Sequence, residues 1–206
     1  MDDVRDLEAL QFDALREVAN IGAGHAATAL SQMIDRRIMI NVPEVNVTPL
    51  EEVAGLLCDP NDTVVAVLMQ MMGDLTGRTL LLFPSAGATT LCDLLLLRPV
   101  GTTTALGEME ESGLKEVGNI LSSAYLNALS DFMGMMLVPS VPSLVVDFAA
   151  AVLTTTYLTF GNERDFVLCV ETQFHFQDSH EQVSAHFLLL PDLASLRAIF
   201  DAISLG

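Results

Sequence analysis

The chain has 206 residues, enough for one mixed domain or two small fused units, and its 51% apolar content against 17% charged supports a packed core and excludes long disorder. Nine Lys and Arg against 27 Asp and Glu give a net charge of −18, with Lys115 the only lysine. Such a field repels phosphate backbones and anionic lipid, which excludes nucleic-acid and membrane-surface roles and leaves basic partners open. The scattered cysteines Cys58, Cys92 and Cys169 form neither a disulfide framework nor a zinc pair. With no apolar leader after the acidic start Met-Asp-Asp-Val-Arg-Asp, they point to a reducing cytoplasm.

In chain order, a helix is expected from about Val4 to Met33. A strand follows over Arg37–Val47, ended by Pro49, then strands near Thr63–Met71 and Arg78–Phe83 and a helix over about Ser85–Leu97. Arg98-Pro99-Val100-Gly101 is the expected junction. Beyond it come a helix over about Leu106–Met133, a strand near Met136–Val138 and a long strand over Leu144–Thr159. The weakly charged stretch from Phe132 to Phe160 is broken by Pro139, Pro142 and Asp147 and is rich in Val and Thr, which argues for strands over a membrane span. Strands over Asp165–Phe176 and Gln182–Leu190 and a closing helix from Pro191-Asp192 complete the chain. Runs of strands flanked by long helices predict an α+β (mixed α/β) fold with an antiparallel sheet. His175, His180 and His186 are expected at surface strand positions, with no metal site.

The chain also repeats itself. Sliding it by 99 residues superposes Leu15, Glu17, Val18, Asn20 and Ile21 on Leu114, Glu116, Val117, Asn119 and Ile120. It also superposes Ala29, Leu30, Ser31, Val42 and Pro43 on Ala128, Leu129, Ser130, Val141 and Pro142. Residues 1–206 therefore form one domain of two repeats, about 1–100 and about 101–206, related by a pseudo-twofold and sharing one core, because a single repeat buries too little surface alone. At about 100° per residue, Asp13, Glu17 and Asn20 make one narrow stripe along the first helix, and Ser112, Glu116 and Asn119 make the same stripe in the second repeat. Leu10, Val18, Ile21 and Leu114, Val117, Leu121 lie largely off it. Glycines in the flanks, Gly22, Gly24 and Gly118, point to a close approach by another surface. A polar Glu–Asn pair on one helix is ordinarily a solvated face; its recurrence on a second, otherwise drifting helix argues for a function.

These residues resemble the CheC/CheX/FliY family of bacterial and archaeal chemotaxis phosphatases. The family signature is Asp or Ser, three residues, Glu, two residues, Asn, twenty-two residues, Pro. It occurs here twice, as Asp13, Glu17, Asn20, Pro43 and as Ser112, Glu116, Asn119, Pro142. Two intact copies favour the CheC branch over CheX, which has one site, and the chain has no room for the additional flagellar-switch domain of FliY-type proteins. His25 departs from the Asn of many relatives; about 75° from the stripe, it is expected to tune at most.

The resemblance implies a CheC-like fold and a protein substrate, the aspartyl-phosphate of a CheY-type response-regulator receiver, with magnesium carried by the receiver and no cofactor on this chain. It implies that Asn20 and Asn119 orient the attacking water, that Glu17 and Glu116 dock on a receiver lysine, and that Asp13 and Ser112 serve docking. Pro43 and Pro142 then shape the surface beside each helix. The resemblance also implies a contact with CheD, a receptor-modifying glutamine deamidase, at Asp147 in Pro142-Ser-Leu-Val-Val-Asp147. The other reading of Asp147 is that it ends a strand or caps a turn. A non-catalytic adaptor that binds the phosphorylated receiver or regulates CheD is the alternative function. A small-molecule enzyme is disfavoured, since no convergent His/Cys/Ser set or cofactor loop is present.

Overall fold

Apolar residues recur at helical spacing in the segments that flank each repeat and run unbroken through central ones such as 64–69 and 80–83, and the chain resolves into thirteen elements among the described residues. The computed structural model describes residues 9–42, 44–49, 53, 59–160, 166–177 and 181–205. Within them the chain runs α1 (Ala9–Ile34), β1 (Ile38–Asn41), β2 (Val45–Pro49), β3 (Thr63–Gly73), β4 (Gly77–Pro84), α2 (Ser85–Leu95), α3 (Glu108–Met133), β5 (Leu137–Pro139), β6 (Ser143–Phe148), α4 (Ala149–Phe160), β7 (Phe166–Phe176), β8 (Gln182–Pro191) and α5 (Leu193–Leu205). The eight strands form one antiparallel sheet ordered β1-β7-β8-β4-β3-β5, with β2 also on β7 and β6 also on β3. The expected α+β architecture, antiparallel sheet and long flanking helices are all present.

The two repeats exchange strands. β1 and β2 pair with β7 of the second repeat, while β5 and β6 pair with β3 of the first. The registers correspond: Ile38 faces Phe176 as Leu137 faces Gly73, and Val45 faces Val170 as Leu144 faces Val67. α1 and α3 are each 26 residues long and start and end 99 residues apart. The pseudo-twofold passes between β4 and β8, which pair at the centre of the sheet through Leu81 and Phe187.

One core lies between the sheet and the helices α1, α2, α3 and α5, where Phe83, Phe174 and Phe187 are fully buried. Each such ring contributes about 1.5–3 kcal/mol through burial alone. A smaller core on the opposite face packs Ala149, Val152 and Leu153 of α4 on Val64, Ala66, Leu80 and Leu188. Alternation along β3 divides the two, with Val65 and Val67 facing the first core and Val64 and Ala66 the second.

Four expectations need correction. The long strand over 144–159 ends at Phe148 and gives way to α4, because Ala149, Val152, Leu153 and Thr156 are buried at helical spacing. The strand over 37–47 is two strands, with Val42 and Glu44 between them outside either. α2 stops at Leu95. The closing helix begins at Leu193, and Asp192 caps it by accepting a 2.8 Å hydrogen bond from the Ser195 amide.

Residues 98–101 lie between α2 and α3 and are held from beneath. The wholly buried carboxylate of Asp93 accepts hydrogen bonds from the amides of Gly101 (2.8 Å), Thr102 (3.0 Å) and Thr103 (2.9 Å) and from the Thr103 hydroxyl (2.6 Å). Burial pushes this carboxyl up, but those hydrogen bonds outweigh it and hold it below the ordinary carboxylate range. Beside it, Arg98 donates to Glu110 at 2.5 Å, and Glu110 accepts the amide of Gly107 at the start of α3.

Candidate functional site

α1 turns Leu15, Val18, Ala19, Ala23, Ala26 and Leu30 into the core, and α3 turns Leu114, Val117, Leu121, Leu126 and Leu129 the same way. That leaves Asp13, Glu17 and Asn20 exposed on one helix and Ser112 and Glu116 exposed on the other, as the spacing requires. Glu and Asn three residues apart are neighbours on a helix surface, with Cβ atoms about 5–6 Å apart. Among the described residues none engages the side chains of Glu17, Asn20, Glu116 or Asn119 in a hydrogen bond or ion pair. Each stripe therefore holds a Glu carboxylate and an Asn amide that no described residue engages.

The two sites are not identical. Asn119 and Ile120 are half-buried, whereas Asn20 and Ile21 are exposed. The glycines also seat the two helices differently. A Cβ on Gly118 would come within 2.5 Å of Val67 Cγ1, so α3 is seated tightly on β3 one residue before its Asn. A Cβ on Gly22 would come within 2.5 Å of Tyr125 Cδ1, so that glycine seats α1 on α3 instead. The close approach expected from the glycines is thus real at Gly22 and Gly118, while Gly24 has nothing within 4 Å. Ile21, expected off the stripe with the core residues, is 44% exposed beside Glu17.

Apart from His25 on α1, the remaining predicted positions among the described residues lie off the two helices. Pro142 is half-buried between β5 and β6, and Pro43 lies outside the described residues. Asp147 is exposed on β6, and its carboxylate accepts the Phe148 amide at 2.7 Å where β6 meets α4. Around it Val145, Val146 and Phe148 are exposed, so this edge of the sheet is apolar. His25 is exposed, His175 and His186 are half-buried on β7 and β8, and His180 lies outside the described residues. Burial holds His186 below the ordinary imidazole range. No group of three or more His, Cys, Asp or Glu that could hold a metal occurs among the described residues. No helix among the described residues is long and apolar enough to cross a membrane.

The motif also passes over one pair of residues. Arg16 precedes Glu17 and Lys115 precedes Glu116, 99 residues apart. The same offset that exposes the repeat would have found them, but the two residues differ in identity and escape a search for identical letters.

Fold and site together define an internally duplicated α+β protein with a Glu–Asn pair on each of two equivalent helices. The CheC-like family model matches residues 10–47 and 109–146, the two stretches that carry those pairs. The chain is 34% identical over 195 residues to the CheY-P phosphatase CheC of Bacillus subtilis (strain 168), covering 94% of this chain and 93% of that one. It is 22% identical over 198 residues to the putative CheY-P phosphatase CheC1 of Halobacterium salinarum, covering 96% of this chain and 97% of the other. Among solved structures, Thermotoga maritima FliY superposes with a TM-score of 0.79 at 21% identity, over 97% of this chain and 98% of that one. The chain belongs to the CheC-like family.

Proposed function

We propose that this protein hydrolyses the aspartyl-phosphate of a CheY-type receiver, damping a chemotaxis signal in the cytoplasm, through two sites, Glu17 with Asn20 and Glu116 with Asn119. The observation that carries the reading is the recurrence of an exposed Glu with an Asn three residues on, exposed on α1 and half-buried on α3, without a partner among the described residues, at the same place on two equivalent helices. The name of the Bacillus subtilis relative supports the same substrate.

An acyl phosphate is reactive, and the receiver brings its own magnesium and lysine; none is needed on this chain. What is missing is a water held in line with phosphorus. Water attacks there, the bond from phosphorus to the aspartyl oxygen breaks, and free carboxylate and inorganic phosphate leave. The Asn amide oxygen accepts a hydrogen bond from the water and its NH2 donates one, with no charge to repel the phosphoryl oxygens. The Glu carboxylate, one turn away, pairs with the receiver lysine and fixes the helix over the site. Asp13 and Ser112, a further turn back, serve docking, and Pro142 and Pro43 support the adjoining surface.

The test is the lifetime of phosphorylated receiver with catalytic amounts of protein. Asn20→Ala with Asn119→Ala is expected to slow stimulated decay roughly 100-fold or more, since the water is then unheld. Each single variant is expected to retain the other site's share. Full stimulation by the folded double variant would overturn the assignment, and binding without turnover by the wild type would favour the adaptor role.

A contact with a CheD-type deamidase at Asp147 is supported by the exposure of Asp147 on an apolar sheet edge. Asp147→Ala is expected to weaken that binding about tenfold, the loss of one charged contact. Unchanged affinity in a titration would leave Asp147 only its hydrogen bond to Phe148.

A further inference from the structure

α1 and α3 together present 52 helical positions, and each helix carries a single Lys or Arg: Arg16 on α1 and Lys115 on α3. These two fall at equivalent places in a chain with only nine such residues. On the helix, Arg16 lies four residues before Asn20, and Lys115 four before Asn119, so each cation is one turn from its amide on the same side. At about 100° per residue the order around each helix is Glu, Asn, cation, with the amide in the middle.

Both cations are partly exposed and loosely tethered. Arg16 Nη1 lies 3.8 Å from Asp13, with side chains 55% and 70% exposed, and Lys115 Nζ lies 3.5 Å from Glu111, at 36% and 41%. The tether differs between repeats. Asp13 sits three residues before its cation; at the equivalent place Ser112 cannot pair, and Glu111, four before Lys115, does so. Exposed pairs of this kind contribute little to stability, so either cation can leave its carboxylate for a better anion.

We infer that Arg16 and Lys115 meet the phosphoryl charge of the receiver and make each site prefer the phosphorylated form. The inference rests on the reading of the Glu–Asn pairs as receiver phosphatase sites. Phosphorylation adds negative charge to the surface that the stripe must cover. Asp13 and Glu17 alone, in a chain of −18, would be repelled by that increment and would favour the unphosphorylated receiver, the reverse of what a phosphatase needs. The cation beside each Asn reverses that sign. It reaches the phosphoryl oxygens from the side opposite Glu, while Asn keeps the water between them. Arg and Lys both serve, because the requirement is charge in reach of a phosphate rather than one hydrogen-bond geometry.

The probe is a CheY-type receiver with magnesium, bare or loaded with beryllofluoride as phosphoryl mimic, titrated with the full chain. The wild type is expected to bind the loaded form more tightly, and added salt to reduce that preference. Arg16→Ala with Lys115→Ala is expected to lower the preference about tenfold and to raise KM for phosphorylated receiver in proportion, with kcat changed far less. Arg16→Lys with Lys115→Arg is expected to restore both. A preference that survives the alanine pair, or a loss that the charge-retaining pair fails to restore, would overturn the inference. Both positions are on exposed helix faces, and matching thermal melts verify that the variants are folded. A wild type with no stimulated hydrolysis would remove the phosphatase reading itself; an active wild type without preference for the loaded form would remove only this inference.

Discussion

Asp93 is a carboxylate without exposed surface in a chain already carrying −18, and it persists there because four donors from the inter-repeat junction converge on it. Its depressed pKa has a defined sign. A carboxyl that is harder to protonate folded than unfolded adds stability above the unfolded value, near pH 4, and loses it as pH falls through the folded value. Asp192, whose hydrogen bonds from Thr76 and Ser195 outweigh the upward push of burial, acts in the same direction. Asp93→Asn is therefore expected to lower stability at pH 7 by about 1–3 kcal/mol, through an unsatisfied buried amide, and to flatten the decline below pH 4. Urea midpoints from pH 7 to pH 3 test this; parallel curves for variant and wild type would assign the acid sensitivity elsewhere. At this same scale the stripes were legible, since helical spacing alone exposes Asp13, Glu17 and Asn20. The half-burial of Asn119 and the tight seat of Gly118 on Val67 were not, because both depend on packing against other parts of the chain, Val67 lying some fifty residues earlier.

Among the elements, α4 is the instructive misreading. Ala149-Ala-Ala-Val-Leu-Thr-Thr-Thr-Tyr-Leu-Thr-Phe160 is rich in residues that favour strands, and composition outweighed spacing. Yet Ala149, Val152, Leu153 and Thr156 already fall on one helical face, three alanines open the segment, and the Thr156 hydroxyl settles its own polarity by donating to the Val152 carbonyl at 2.8 Å. Period is the safer guide where β-branched residues coat a helix. The ends of α1 and α3 show the opposite case, in which one backbone need is met by different residues. Asp35 and Gly134, 99 residues apart, both take the left-handed conformation just past the helix, at φ 51° and 67°. Sequence comparison sees only Asp and Gly there, and the shared requirement is visible only in the backbone.

For the whole molecule, the duplication was legible from the 99-residue offset, but the exchange of strands was not. No local pattern tells β1 that its partner is β7, some 130 residues away, rather than β3 of its own repeat. The exchange has a mechanical result. Each repeat holds its own central hairpin, β3–β4 or β7–β8, while the strands that flank it come from the other. Residues 1–100 expressed alone are expected to lack a cooperative unfolding transition, and mixing them with residues 101–206 to restore one. A sharp transition in the first piece by itself would show that its helices and hairpin suffice.

The reciprocal pairing also bears on how the molecule behaves when scarce. Two separate units built this way would complete each other only by association, and their occupancy would fall with dilution. Joining them through a short junction makes the second encounter intramolecular, at an effective concentration on the order of millimolar for a short flexible tether. The two helix faces then stay in a fixed one-to-one ratio at any expression level.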